Sequence, residues 1–399
     1  MPVSLWALCR YTGRFMVSNP LAVLLVLAAV VYLAVRLAER VALFRSLGAA
    51  LVAILLAMLL SNLRFLPEES PAYDFLVGPA LSFGIALILL SVDFRSIVQA
   101  GPRMLAAFGI GALGTAVGAT VSGLALHSLV GPETWKLAGQ YTGTYTGGGM
   151  NFAALGKAFG TSSDLFSAAI AADVAVTALW MATCLAVPVL LGRPGSSAAE
   201  ETQAEAPGED RPQTLVRALH DSGRPVELKD AAALVLIGLG AVWAAGHLGA
   251  LVPQIPEILW LTTLVLILAQ IPSVQALAGG ALWGNYLLLL FLASNGARSV
   301  IANIFAVGPA VFYFAIGTVA LHGIILFGLG RLLRIDMATL AVASQANVGG
   351  AASAMALAGA RGYADRLLPG VAVGLLGYAV GNYSGFMVAA LMRQWLGQG

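Results

Sequence analysis

Most of this chain consists of apolar segments about as long as a bilayer core is thick, and that feature leaves it few ways to fold. A helix crosses the hydrocarbon layer in roughly 17–25 residues, and inside that layer only helices or closed barrels satisfy their own backbone polar groups. Leu21–Ala38, Ala42–Leu60, Tyr73–Val92, Met104–Val130 and Leu165–Leu191 have the required length and composition. Ala231–Leu248, Pro256–Leu277, Pro309–Leu332 and Leu367–Leu391 repeat the pattern, and Leu282–Ser294 is a shorter tenth segment. Only 10% of the 399 residues are charged and 59% are hydrophobic, against about 25% charged in a water-facing globular chain. The expected fold is an all-α polytopic membrane protein.

The remaining composition excludes several function classes. A net charge of +2 gives no basic surface for nucleic acid. Two cysteines, Cys9 and Cys184, provide neither a disulfide framework nor metal-ligand spacing. Arg10 and Arg14 precede Asn19-Pro20 and a full-length apolar span without a small-residue cleavage pattern, so the N-terminus is not read as a cleavable signal. There is no HExxH, no GxSxG and no P-loop, and the Gly-rich segments lack the Lys-Ser/Thr of a phosphate cradle. The expectation is therefore not an enzyme and no cofactor, with any transport driven by an ion gradient or passive.

Polar residues 192–230, rich in Glu, Ala, Pro and Gly, separate the two sets of spans. They read as a cytoplasmic linker with a short interfacial helix near Leu215–Leu219. The division is thus a first transmembrane repeat over residues 1–191, the linker, and a second, inverted repeat over 231–399.

Two weakly hydrophobic stretches break the apolar pattern. Trp135–Gly160 contains QYTGTYTGGGMNFAALG, from Gln140 to Gly156, and Ala338–Gly362 contains SQANVGGAASAMALAGA, from Ser344 to Ala360. Arg95-Ser96 followed by Gly114-Thr115 recurs as Arg298-Ser299 followed by Gly317-Thr318 at the same internal spacing. Gly148-Gly149 then matches Gly349-Gly350 after a two-residue slip. Matching order and hydropathy context point to a duplication.

Lys and Arg in the loops set the orientation. Arg36, Arg40, Arg45, Arg95, Arg103 and the linker arginines fall on one side, which is read as cytoplasmic with the N-terminus outside. Five full spans plus one re-entrant Gly-rich hairpin per half would turn the second half upside down relative to the first. Crossing broken helices would instead make the repeats parallel. Two half-helices of about 10–12 residues each reach only mid-membrane, and the hairpin is the favoured reading.

Irregular backbone at membrane depth is tolerated where it lines a cavity. Consecutive glycines Gly147, Gly148 and Gly149, and Gly349 with Gly350, permit such a break. A break frees amide N–H groups for an anion and carbonyls for a cation. Thr144, Tyr145, Thr146 and Asn151 add hydroxyls and an amide in the first stretch; Ser344, Gln345, Asn347 and Ser353 do so in the second. These residues apart from Ser353, together with the glycines and Asn382, are the candidate substrate-binding groups, with Thr146, Asn151 and Asn347 also candidate Na⁺ ligands. Asp173, about nine residues into a span, is an intramembrane carboxylate and the sharpest single candidate for Na⁺ coordination or proton exchange. Asn382, in GYAVGNYSG with Tyr378, Tyr383 and Ser384, is read as sitting roughly where Asp173 sits, without its charge. His127, His247 and His322 read as helix–helix hydrogen-bonding groups, and Asp93, Arg95 and Arg298 as residues at span ends.

At TYTGGGMNFAALG and ASQANVGGAASAMALAGA, with AADVAVTALW and GYAVGNYSG following them, the chain resembles the YjcL-like membrane proteins, classed as domain of unknown function 819. The resemblance covers nearly the whole chain. That family has been grouped with the sodium/glutamate, sodium/citrate and bile-acid-type symporters and with cation/proton antiporters. The resemblance implies inverted repeats, a scaffold domain and a mobile core domain that works as an elevator. It also implies hairpin tips that hold solute and Na⁺: Thr146, Gly147, Gly148, Gly149 and Asn151 at one, and Asn347, Val348, Gly349 and Gly350 at the other. No Arg lies in either hairpin core, which disfavours a multiply charged substrate and favours an amino acid, small peptide or monocarboxylate.

The functional expectation is a Na⁺-coupled symporter of a small organic solute in the inner membrane of a prokaryote, homodimeric by analogy, with lipid and solute as partners. A cation/proton antiporter using Asp173 is the alternative, and a non-transporting receptor or scaffold is the third reading.

Overall fold

The computed structural model describes residues 17–191, 225–299 and 301–397. Cys9, Arg10, Arg14, linker residues 192–224 and the helix expected near Leu215–Leu219 lie outside them. The described residues are helical throughout, with no strand.

Helix α1 (Pro20–Arg40) opens on an Asn19 side chain that accepts the Leu21 and Ala22 N–H groups at 2.9 and 3.3 Å. That is the usual N-cap arrangement, with proline in the first turn. α2 (Ala42–Asn62) is broken at Gly48, and α3 (Pro71–Leu89) at Gly78-Pro79 within one π-type turn. The short α4 (Phe94–Gln99) is capped by Asp93, and α5 (Pro102–Val130) follows. α6 (Thr134–Gly147), α7 (Gly149–Phe159) and α8 (Ser163–Leu191) complete the first half.

The second half comprises α9 (Leu228–Leu251), α10 (Glu257–Leu268), α11 (Pro272–Gln275), α12 (Gly280–Ala297), α13 (Ile301–Leu332), α14 (Met337–Ala360) and α15 (Ala364–Trp395). Among the described residues seven helices are long and apolar enough to cross a membrane: α1, α3, α5, α8, α9, α13 over Gly308–Leu332, and α15. The protein is a polytopic helical membrane protein.

Four spans differ from the sequence expectation, the first being Tyr73–Val92, whose helix is broken at Gly78-Pro79. Pro256–Leu277 is not one helix, because Pro272 has no N–H to continue it; α10 stops after 12 residues and α11 restarts at the proline. Leu282–Ser294 grows to the 18 residues of α12. Ala42–Leu60 is kinked at Gly48, whose φ of 74° requires glycine. At the end of the polar segment, Glu227 and Asp230 form a reciprocal capping box that carries α9 back to Leu228, into the span assigned to the linker.

The helices sort into two packed groups. α1, α2, α3, α9, α10 and α12 pack mainly on one another, and so do α5–α8 with α13–α15. Within the second group α5 and α13 run antiparallel at close range. The His322 ring meets the Gly111 carbonyl, a Cβ on Gly118 would strike the Thr318 carbonyl, and one on Gly123 would lie 3.2 Å from Phe314. Glycine at these positions allows the two backbones to touch.

α6 and α7 form a helical hairpin. Its base is pinned by Lys136 Nζ on the Gly160 carbonyl (2.8 Å) and by Glu133 Oε2 accepting the Ser162 N–H (3.1 Å). Its arms are held by Gln140 Nε2 on the Phe152 carbonyl at 3.2 Å. α14 folds back in the same way. Arg366, just past its end, pairs with Asp336 at its start (3.3 Å) and donates to Thr339 at 3.2 Å. Because α5 leads into the first hairpin and α13 into the second, and the two are antiparallel, the hairpins enter their bundle from opposite ends.

Candidate functional site

Each hairpin turns on one glycine in nearly the same conformation. Gly148 has φ 92° and ψ 176°, and Gly350 has φ 75° and ψ −173°. This region is open essentially to glycine alone. Gly148 therefore corresponds to Gly350 rather than to Gly349, and the slip between the two sequence stretches is one residue, since 350 − 148 is 202 where 317 − 114 is 203.

The two tips meet. A Cβ on Gly148 would lie 3.8 Å from the Gly350 Cα and 3.7 Å from the Tyr378 ring on α15. Gly147 packs so closely on Gly377 that a Cβ there would overlap the Gly377 carbonyl. Gly149 has no neighbour within 4 Å of its Cβ position, and Gly349 faces Gln345 and Ser353 of its own helix. Thr144 acts through its carbonyl, which accepts the Gly148 N–H at 2.5 Å and closes the first arm.

Around this junction lies a set of polar atoms with no hydrogen-bond partner inside the protein. Tyr145 Oη, Thr146 Oγ1, Asn151 Oδ1, both amide atoms of Gln345 and both of Asn347 are buried and unpaired. Thr146, Asn151, Gln345 and Asn347 are 0% exposed. A buried orphan polar group costs about 1–3 kcal/mol, so several in one place identify either a strained region or a binding site. The other half of the Asn151 amide is structural: Nδ2 donates to the Gly143 carbonyl at 3.3 Å and the Gly377 carbonyl at 3.0 Å, tying both arms to α15. Asn347 Oδ1 packs against Gly111 of α5, where any side chain would displace it.

Asp173 reaches the same region from α8. Its half-buried carboxylate accepts Thr177 Oγ1 at 3.4 Å and lies within interaction range of the Tyr145 hydroxyl, without a hydrogen bond of good geometry between them. Tyr145 is fixed by stacking on Tyr141 at 5.4 Å and by Thr115 Oγ1, which donates to its carbonyl at 2.9 Å.

Two expected site residues are elsewhere. Ser344 belongs to a buried network: Trp180 Nε1 donates to its hydroxyl at 2.9 Å, and His322 Nε2 stands 2.9 Å from the same oxygen. His322 Nδ1 meets the Gly111 carbonyl at 2.8 Å. Asn382 faces away from the tips, its Nδ2 on Thr262 of α10 at 3.0 Å. Nor does it match Asp173: Asp173 is ten positions past Ser163, the start of α8, whereas Asn382 is eighteen past Ala364, the start of α15. The two side chains therefore sit about two turns apart along their helices.

The residues that sequence reasoning left out of the site are Gly111, Thr115, Trp180 and Gly377. Thr115 stands in the repeated Gly-Thr pair, and His322 is a helix–helix group as expected; Trp180 closes the segment AADVAVTALW and Gly377 opens GYAVGNYSG, but neither is singled out there as a site residue. Among the described residues no three His, Cys, Asp or Glu side chains converge as metal ligands would. The donor set at the tips is neutral oxygen and nitrogen, plus one carboxylate.

Residues 22–395 match the family described as protein of unknown function (DUF819). The chain is also similar to the uncharacterized membrane protein YjcL of Bacillus subtilis (strain 168), at 27% identity over 352 residues, covering 84% of this chain and 86% of that one. With the match running from the first described helix to the last, the chain belongs to the DUF819 family of membrane proteins.

Proposed function

We propose that the protein is a secondary transporter, a Na⁺-coupled symporter that binds a small organic solute where the two hairpin tips meet. The observation that carries this reading is the group of unpaired, buried polar atoms on Tyr145, Thr146, Asn151, Gln345 and Asn347 around Gly148 and Gly350. A solute with hydroxyl, amide or carboxylate groups and a desolvated Na⁺ would satisfy these atoms, since hard cations take oxygen ligands. Asp173 is the charged member and would face the cation. With no Lys or Arg among the tip residues, an amino acid, small peptide or monocarboxylate suits the site better than a multiply charged anion.

The antiparallel crossing of α5 and α13 and the opposed hairpins support an inverted duplication, with the hairpins re-entrant and the linker cytoplasmic. The two packed groups of helices support a scaffold and a moving core, in which solute crosses as the core slides. A homodimer joined through the scaffold, in the inner membrane, goes with this reading.

The test is uptake into proteoliposomes. Solute accumulation under an inward Na⁺ gradient, absent with K⁺, is expected; no Na⁺-dependent uptake of any solute from a mixed amino-acid, peptide and monocarboxylate pool would overturn it. The lone carboxylate of Asp173 beside Tyr145 favours a second reading, cation/proton antiport. In that case a Na⁺ gradient alone would change the internal pH of solute-free vesicles.

A further inference from the structure

Among the described residues, the first hairpin is fastened to the other group of helices and the second is not. Lys157 leaves α7 one turn above the hairpin base and crosses to α3, where its ammonium donates to the Gly78 carbonyl at 2.9 Å and to the Ser82 hydroxyl. The acceptor lies at the break in α3. Gly78 is non-helical (φ −84°, ψ −105°) and is followed by Pro79, and its carbonyl accepts the Leu81 N–H as well as the Lys157 ammonium. Glu257, at the start of α10, adds electrostatic attraction to the same ammonium. An ammonium is a compact charge with three donors, and here those donors and that charge are directed at α3 and α10, both outside the bundle that carries Lys157.

Among the described residues the second hairpin has no such anchor. α14 packs on α5, α6, α8, α13 and α15 of its own bundle. Arg361, eleven positions past Gly350 where Lys157 is nine past Gly148, has a buried Nε without a hydrogen-bond partner. Two hairpins of like construction are thus placed differently against the remaining helices, which is what one end of an alternating motion requires.

The geometry points to Lys157 as a latch: its bond to the broken turn of α3 holds the moving bundle in the state described here and must open for the bundle to travel. This rests on the transporter reading above. The latch is a charge-assisted hydrogen bond plus a long-range attraction, and both are lost when Lys157 becomes neutral.

Electron–electron distance measurements test it. Spin labels are placed at Ala158 on α7 and Glu68 before α3, both exposed, in full-length protein with Cys9→Ser and Cys184→Ala. Lys157→Gln is expected to raise the ratio of a second, displaced distance to the original one by about tenfold or more. Ser82→Ala removes one partner from the opposite side and gives a smaller rise, and Lys157→Arg keeps the original distribution. Lys136→Gln, which loosens only the base of the hairpin itself, leaves the distribution unchanged. Distributions for Lys157→Gln and Ser82→Ala that superimpose on the parent overturn the latch. Na⁺-dependent uptake by the same variants separates the two readings. A latch without uptake sinks the transporter assignment, and uptake with unchanged distances sinks the latch alone.

Discussion

Gly148 and Gly350 lie on separate hairpins entering from opposite ends, yet the Cα of Gly350 stands 3.8 Å from where a Cβ on Gly148 would be. Both have positive φ with extended ψ, so alanine at either brings backbone strain of about 1–3 kcal/mol, although its Cβ would meet only ordinary van der Waals contacts. Gly148→Ala and Gly350→Ala are each expected to lower the melting temperature in detergent and to abolish uptake. Gly149→Ala is the control: its Cβ meets nothing within 4 Å, so its stability should stay within about 0.5 kcal/mol of the parent.

The His322 network has one arrangement that satisfies every member. The Gly111 carbonyl can only accept, so His322 Nδ1 carries the proton. Nε2 then accepts from the Ser344 hydroxyl, whose oxygen accepts the Trp180 indole N–H. Ser344→Ala leaves the indole N–H and Nε2 both unpaired, a loss of about 1–3 kcal/mol for each buried orphan. Trp180→Phe in the Ser344→Ala background should therefore cost less than in the parent. Melting curves for the four proteins of that cycle check the coupling, and additive losses would remove the network. Nitrogen NMR of histidine-labelled protein should report the Nδ1–H tautomer.

Asp336 clasps the base of the second hairpin and lies outside the membrane-spanning segments. Burial alone would raise its pKa, but the Thr339 N–H and hydroxyl and the Arg366 guanidinium hold it below the ordinary carboxylate value. A carboxyl with a depressed folded pKa contributes stability that is fully present above the unfolded value of about 3.9 and is lost as pH falls through the folded one. Parent and Asp336→Asn should accordingly differ most in melting temperature at neutral pH and converge in strong acid. A constant gap across the whole acid range would mean the Asp336 charge is not what holds the clasp.

Much of this was legible in the sequence, and what was not has a physical cause. Length and hydropathy located α1, α3, α5, α8, α9, α13 and α15 because lipid imposes one constraint along each span. The Gly-rich stretches stood out because Thr146, Asn151, Gln345 and Asn347 are too polar for a lipid-facing helix. Partner choice was not legible. Whether Ser344 serves a ligand or His322 depends on side chains 22 and 164 positions away in the chain. Whether Asn382 faces the tips or Thr262 depends on the rotation of α15, which has small or apolar residues on every side. The break at Gly78-Pro79 falls inside the span expected as continuous from Tyr73 to Val92, and its use by Lys157, 79 positions on, is set by tertiary packing alone.

Asp173 is where the two functional readings part. It is the acid of α8 that approaches the tips, and the Tyr145 hydroxyl facing it has no partner of its own. If Na⁺ binds there, the cation satisfies both groups at once and stabilises the folded protein by mass action, by about 2.7 kcal/mol at 100 times its dissociation constant. Melting the detergent-purified parent in NaCl and in KCl at equal ionic strength should then show a higher midpoint in NaCl. Asp173→Asn keeps the shape and removes the charge, and should erase the difference without greatly lowering the midpoint in KCl. Tyr145→Phe, which removes one oxygen, should reduce the difference without abolishing it. Equal midpoints in the two salts for the parent would argue against Na⁺ at Asp173. The carboxylate would then be left to carry a proton, and solute-free vesicles would become the informative assay.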